Sequence, residues 1–110
     1  MDITNDSFLL LFKALSDEMR LQILAMLRDG ELCACKIQER FRVSQPTLSY
    51  HMKILTQSGL VSCRKDGLWM RYSLRPESFA LARNFLQAYS TAPEIQSIHA
   101  EIPQKAEALQ

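Results

Sequence analysis

The chain is poor in the residues that break structure and has nothing long enough to cross a membrane. Only three glycines interrupt its 110 residues, and no glycine-rich phosphate loop is among them. No apolar run approaches the roughly 20 residues that span a bilayer. The opening "MDITNDSFLLLFKALSDEMR" also lacks the basic start and small-residue cleavage site of a secretory signal. A cytoplasmic protein without membrane contact is therefore expected. Cysteine is scarce and odd in number, at three. In a reducing compartment that count argues against a disulfide framework and leaves metal or redox chemistry for any cluster. There is no Cys-x-x-Cys pattern, no Ser/His/Asp arrangement and no paired-carboxylate cleft, so an enzyme is not expected.

What is present suits one small domain. Hydrophobic residues make up 47% of the chain and the formal net charge is +1. That charge is unevenly spread. Residues 41–75 hold six basic residues (Arg42, Lys53, Arg64, Lys65, Arg71, Arg75) against Asp66, a local +5, and the remainder carries −4. A basic middle third in a near-neutral domain is a plausible footprint for a polyanion.

Periodicity gives the order of elements. Phe8, Leu11, Phe12 and Leu15 recur at helical spacing, with Leu9 and Leu10 adding a second apolar face that a partner subunit could cover. "SDEMRLQILAMLRDG" predicts a helix capped by Ser16 and stopped at Gly30. A short helix from Leu32 to Arg40 carries both cysteines of "ELCACKI", and the turn "FRVS" ends on a capping Ser44. The helix "SQPTLSYHMKILTQSG" follows, with Pro46 in its first turn and Leu48, Met52 and Leu55 as its buried stripe. Its other surface presents Gln45, Thr47, Ser49, Tyr50 and Lys53. Then the period changes to alternation: "LVSCRK" and "LWMRYSL" flank Asp66-Gly67, a strong hairpin signal. Pro76 opens a last helix through about Tyr89. Residues 1–92 are expected to form one folded domain, and 93–110 a polar, flexible tail.

Helix, helix, short turn, helix, basic hairpin is the order of a winged helix-turn-helix, mainly α with a small β-hairpin. The second helix of such a pair enters the major groove, where Gln45, Thr47 and Ser49 could hydrogen-bond to bases or phosphates. Lys53 and the wing cations Arg64, Lys65 and Arg71 would add sequence-independent attraction.

"ELCACKI", followed by "VSQPTLSYHMKILTQSGLV" and a basic DG hairpin, resembles the ArsR/SmtB family of metal-responsive repressors, and in particular its arsenic-sensing members. The likeness covers residues 8 to about 90. It implies a homodimer joined through the first and last helices, bound to an imperfect palindrome in double-stranded operator DNA and released by its inducer, here arsenite or antimonite. By that resemblance Gln45, Pro46, Thr47, Ser49 and His51 match the operator-facing helix, and Cys33 and Cys35 match the inducer ligands; from the residues themselves, His51 beside the buried Met52 is as well suited to pack and hydrogen-bond locally as to touch a phosphate. In the fullest family pattern a third cysteine follows in the same helix; here position 38 is Gln. Cys63, a small-molecule thiol, or nothing at all could complete the set. Cadmium- and lead-sensing relatives add cysteines in an N-terminal arm, which residues 1–7 lack. Zinc-sensing relatives use Asp and His on the last helix, where this chain has Glu77 and no His.

The thiol spacing poses a conflict. Residues i and i+2 of a helix project about 200° apart, whereas two sulfurs binding one soft ion must converge. Both cysteines fall in the Leu32 to Arg40 helix, so inducer binding is expected to unwind or bend its first turn. A disulfide or sulfenic acid switching the same helix is the redox rival.

Overall fold

The computed structural model describes residues 5–91 and 93. Five helices and three strands follow one another as α1 (Asn5–Leu15), α2 (Glu18–Leu27), β1 (Leu32–Cys33), α3 (Ala34–Arg40), α4 (Gln45–Gln57), β2 (Val61–Asp66), β3 (Trp69–Leu74) and α5 (Pro76–Ser90). None of the described helices is long and apolar enough to cross a membrane. Ile23 and Leu27 of α2, Ile37 of α3, Leu55 of α4, and Leu60 and Val61 at the wing's entrance are the largest wholly buried side chains. The core therefore lies where the helix-turn-helix meets the hairpin.

Three local expectations change. Helix α2 is capped by Asp17, whose carboxylate accepts from the Arg20 N–H at 3.1 Å, and not by Ser16. The Ser16 hydroxyl donates backwards to the Phe12 carbonyl at 2.9 Å. A carboxylate at the positive helix end gains from the dipole as well as the hydrogen bond, so it takes the cap.

The second change is in the hairpin. Its loop is Gly67-Leu68, one residue later than expected, because Gly67 is the position with φ +64° and Asp66 stays in the ladder opposite Trp69. Asp66 thereby points its carboxylate at Arg71, whose Nε donates at 2.7 Å.

The third change is the largest. The short helix begins at Ala34, not Leu32, and Leu32–Cys33 forms a strand that pairs with β3, giving an antiparallel sheet of order β1-β3-β2 where only a hairpin was expected.

Helix α5 returns across α1. Phe85 packs on Phe8 and Phe12, with ring centroids 4.3 and 5.5 Å away, and on Tyr89 at 5.5 Å. Leu9, Leu10, Leu86 and Tyr89 remain exposed on these two helices. The tail expected to be flexible, 93–110, lies outside the described residues except for position 93, and His99 lies outside them too.

Candidate nucleic-acid interface and thiol site

Helix α4 starts as its sequence dictates. Ser44 caps it: its hydroxyl accepts from the Thr47 N–H at 3.2 Å and donates to Thr47 Oγ1 at 2.9 Å. Pro46 sits in the first turn, where a missing N–H is harmless. Ser44, Gln45, Pro46, Thr47, Ser49, Tyr50 and Lys53 are all exposed, whereas Leu48, Met52 and Leu55 face the core.

His51 takes the local-packing alternative and is not on the operator-facing surface that the resemblance implied. It is only 9% exposed, and its Nδ1 lies 3.0 Å from Nη1 of Arg20, itself 6% exposed. Asp17 Oδ2 is 3.7 Å from the same nitrogen. Arg20 also donates through Nε to the Ala14 carbonyl at 2.8 Å and through Nη2 to the Lys13 carbonyl at 3.1 Å. A guanidinium can only donate, so His51 Nδ1 must act as the acceptor. The pair thus ties the end of α1, the start of α2 and the middle of α4 into one buried polar joint. The signal in the sequence was a cation on an apolar stripe: Arg20 shares helical spacing with Ile23, Leu24 and Leu27.

The wing is less freely cationic than its composition. Glu31, just before β1, takes Arg64 in a two-pronged pair, with Nε–Oε2 2.8 Å and Nη2–Oε1 2.7 Å. That hydrogen bonding holds the Glu31 carboxyl below the usual glutamate range and raises Arg64. Arg71 likewise holds Asp66 low. Lys53 and Lys65 form no ion pair among the described residues. At the tip, Leu68 is 95% exposed.

The thiols sit at the junction of β1 and α3. Cys33 ends the strand in an extended conformation (φ −68°, ψ 145°) and acts as the N-cap of α3, its sulfur accepting from the Cys35 N–H at 3.1 Å. Because Cys33 lies outside the helix, the 200° divergence does not apply. The two Cα atoms are 5.2 Å apart and the structure joins the two sulfurs. The expectation that convergence requires unwinding of α3 is overturned, since the strand-to-helix corner already supplies it.

A third protein ligand is not in place. Cys63 is exposed and free. It pairs with Tyr72, whereas Cys33 pairs with Arg71, so the two cysteines project from opposite faces of the sheet. Among the described residues no three His, Cys, Asp or Glu side chains converge as a metal site. Gln38 serves the fold: its amide donates to the Val43 carbonyl at 2.7 Å and braces the turn before α4.

Cys35 also borders a groove of about 490 Å³ between α3, α4 and the wing, and Gln45, Ser49, Leu68 and Trp69 border the same space. Thiol, α4 and wing tip therefore share one cleft.

Helix-turn-helix and wing together define a winged helix-turn-helix DNA-binding module. Comparison with known proteins narrows the class. Residues 17–62 match the model of "Bacterial regulatory protein, arsR family". The arsenical resistance operon repressor of Staphylococcus xylosus is 44% identical over 84 residues, covering 76% of this chain and 81% of that protein. The repressor of the same name from Staphylococcus aureus is 58% identical over 57 residues, 52% of this chain and 55% of that one. A crystal structure of an ArsR family transcriptional regulator superposes with a TM-score of 0.74 over 84% of this chain and all of that one, at 21% identity, which speaks for the fold. The chain belongs to the ArsR family of bacterial transcriptional regulators.

Proposed function

We propose that the protein is a repressor of arsenical resistance genes that leaves its operator when trivalent arsenic or antimony binds Cys33 and Cys35. The observation that carries this reading is the convergence of the two sulfurs at the α3 N-cap, on the rim of the groove that Gln45 and Ser49 also border. Two adjacent thiolates are a soft donor pair that suits arsenic or antimony and not a hard cation. The relatives' names support the same inducer class.

Gln45, Thr47 and Ser49 read base edges, with Ser44, Pro46 and Tyr50 at the backbone-facing rim of the same surface, and Lys53 and Lys65 supply phosphate attraction. Arg64 and Arg71 join the phosphate contacts only if they exchange their carboxylate partners for DNA. His51 acts from inside, as part of the joint that mounts α4. The working form is a cytoplasmic homodimer that covers the exposed leucines of α1 and α5.

Inducer antagonism does not require α3 to unwind. A ligand on the two sulfurs competes for the Cys33 sulfur that caps α3 and adds bulk beside the reading helix, so inducer and operator favour different arrangements of one cleft.

The test is a DNA-binding titration of the reduced protein with arsenite, antimonite, cadmium and zinc, repeated with Cys33→Ser and Cys35→Ser. Trivalent arsenic or antimony is expected to release the wild type while both variants stay bound; release of Cys35→Ser at wild-type concentrations would end the proposal. Cys63→Ser is expected to behave as wild type.

The joined sulfurs favour one second reading, release by oxidation of the dithiol to a disulfide, with two electrons passing to a peroxide. Release by peroxide but not by arsenite would select it.

A further inference from the structure

We propose that Leu68, at the tip of the wing, is an apolar wedge that enters the minor groove of the operator and kinks the duplex at a flexible base step. The inference rests on the reading of α4 as the helix in the major groove. Leu68 is 95% exposed, more than any other large hydrophobic among the described residues, and Trp69 beside it is 54% exposed. A leucine so fully in water gains from any apolar partner. The loop has two residues, and Gly67 has no side chain, so Leu68 leads the hairpin.

The surroundings of the tip favour DNA as that partner. With α4 in the major groove, the cleft between α4 and the wing straddles one sugar-phosphate strand, and the tip reaches the minor groove beyond it. Lys65 forms no ion pair among the described residues, and Asp66, the one acid of the hairpin, is neutralised by Arg71 at 2.7 Å. Nothing at the tip therefore repels phosphates. A groove about 6 Å wide admits so slim a loop. Leucine cannot hydrogen-bond to the base edges there, and the apolar surface that DNA offers is the faces of its stacked bases. Leucine is among the side chains that minor-groove proteins insert between base pairs, with a kink as the result.

A wedge must also be stiff. Strands β2 and β3 stay in register without a break from Val61–Leu74 to Asp66–Trp69, the last pair before the loop, and the Arg71–Asp66 pair braces the same end. The gain from burying one leucine is of the same order as the cost of unstacking one base step. The wedge therefore enters only where opening is cheap, at TA or CA/TG steps. Leu68 thus selects sequence without a hydrogen bond.

The test uses duplexes selected from random-sequence DNA by the reduced, full-length wild-type protein. Fluorescence transfer between the duplex ends reads the bend, and 2-aminopurine at the steps flanking each half-site reads unstacking. Leu68 lies in solvent, so Leu68→Ser is expected to unfold at the same denaturant concentration as wild type. Selected sites are expected to carry a TA or CA/TG step where the wing lands. The wild type is expected to bend the duplex by at least about 20° and to brighten 2-aminopurine. Leu68→Ser is expected to abolish both and to bind about tenfold more weakly, whereas Leu68→Phe, another wedge side chain, keeps them. A straight wild-type complex, or a bend that survives Leu68→Ser, overturns the wedge; if Gln45→Ala still abolishes the preference for selected over random DNA, the reading helix stands. Retention of that preference in Gln45→Ala, together with a bend that survives Leu68→Ser, overturns both. Flotation with phosphatidylglycerol vesicles that depends on Leu68, with DNA bending untouched by Leu68→Ser, assigns the tip to a lipid surface and also overturns the wedge.

Discussion

Helices α3 and α4 begin almost identically and are held very differently. Cys33 and Ser44 have nearly the same backbone angles, φ −68° with ψ 145° and φ −68° with ψ 156°, and each side chain accepts a hydrogen bond from its helix's first turn. Helix α4 then runs thirteen residues and buries Leu48, His51, Met52 and Leu55, whereas α3 runs seven and buries only Ile37. Oxygen is a strong acceptor and sulfur a weak one. Helix α4, proposed above to read DNA, is thus firmly mounted, and α3 is pinned by the weaker sulfur cap of Cys33, which the proposed inducer would remove at little cost. The proposed release by an inducer would draw on that asymmetry, because the low-stability element is the one that moves.

The largest effect should come from unmounting α4. Arg20→Met keeps much of the side-chain volume but leaves the Lys13 and Ala14 carbonyls and His51 Nδ1 without their donor. A loss of about 3 kcal/mol in chemical denaturation is expected, the scale for buried polar groups stripped of a charged partner. A loss below about 1 kcal/mol would mean that the joint is not what holds the reading helix.

Ser44→Ala comes next. Removing a hydroxyl cap costs about 1 kcal/mol, and hydrogen exchange should show the first turn of α4 opening more than any other segment. Cys33→Ser should differ from it in sign or size: stability stays within about 0.5 kcal/mol of wild type, because serine can cap as well as a thiol does, while arsenite no longer releases DNA. A destabilisation of Cys33→Ser as large as that of Ser44→Ala would erase the distinction between the two caps.

The same pair explains what sequence could and could not disclose. Ser44, Pro46 and the stripe Leu48, Met52, Leu55 are strong local signals with one interpretation, so the reading helix and its exposed face were legible from spacing alone. Cys33 was not, because cysteine is no habitual cap, and a two-residue strand leaves no alternation to detect. Its existence depends on pairing with β3, some forty residues later. Placing Cys33 in the helix created a steric conflict that the fold resolves by ending the strand there. His51 was legible only as two alternatives, operator contact or local packing, because which way it faces depends on Arg20, thirty-one positions away. Arg64 and Arg71 were legible as wing cations, while their carboxylate partners Glu31 and Asp66 follow from register and turn placement.

The smallest expected effect concerns the link between the thiol corner and the wing. Glu31 precedes Cys33 by two residues and grips Arg64 across the sheet, so the clamp steadies the strand that ends in the capping sulfur. Its carboxyl is held below the usual glutamate range, first by the hydrogen bond from Arg64. A depressed carboxylate contributes stability that is fully present above its unfolded value and lost as pH falls through the folded one. The clamp is therefore intact at neutral pH and opens only in acid, below the ordinary carboxylate range. Both partners are at the surface, so the change should be slight and should fade in high salt. Glu31→Gln should reproduce the acid state at pH 7: nearly unchanged global stability, faster hydrogen exchange at Leu32 and Cys33, and arsenite release at somewhat lower concentration. Because Arg64 is then free for phosphate, DNA affinity at low salt should rise slightly in the same variant, and a fall instead would show that the pair orients the wing more than it neutralises it.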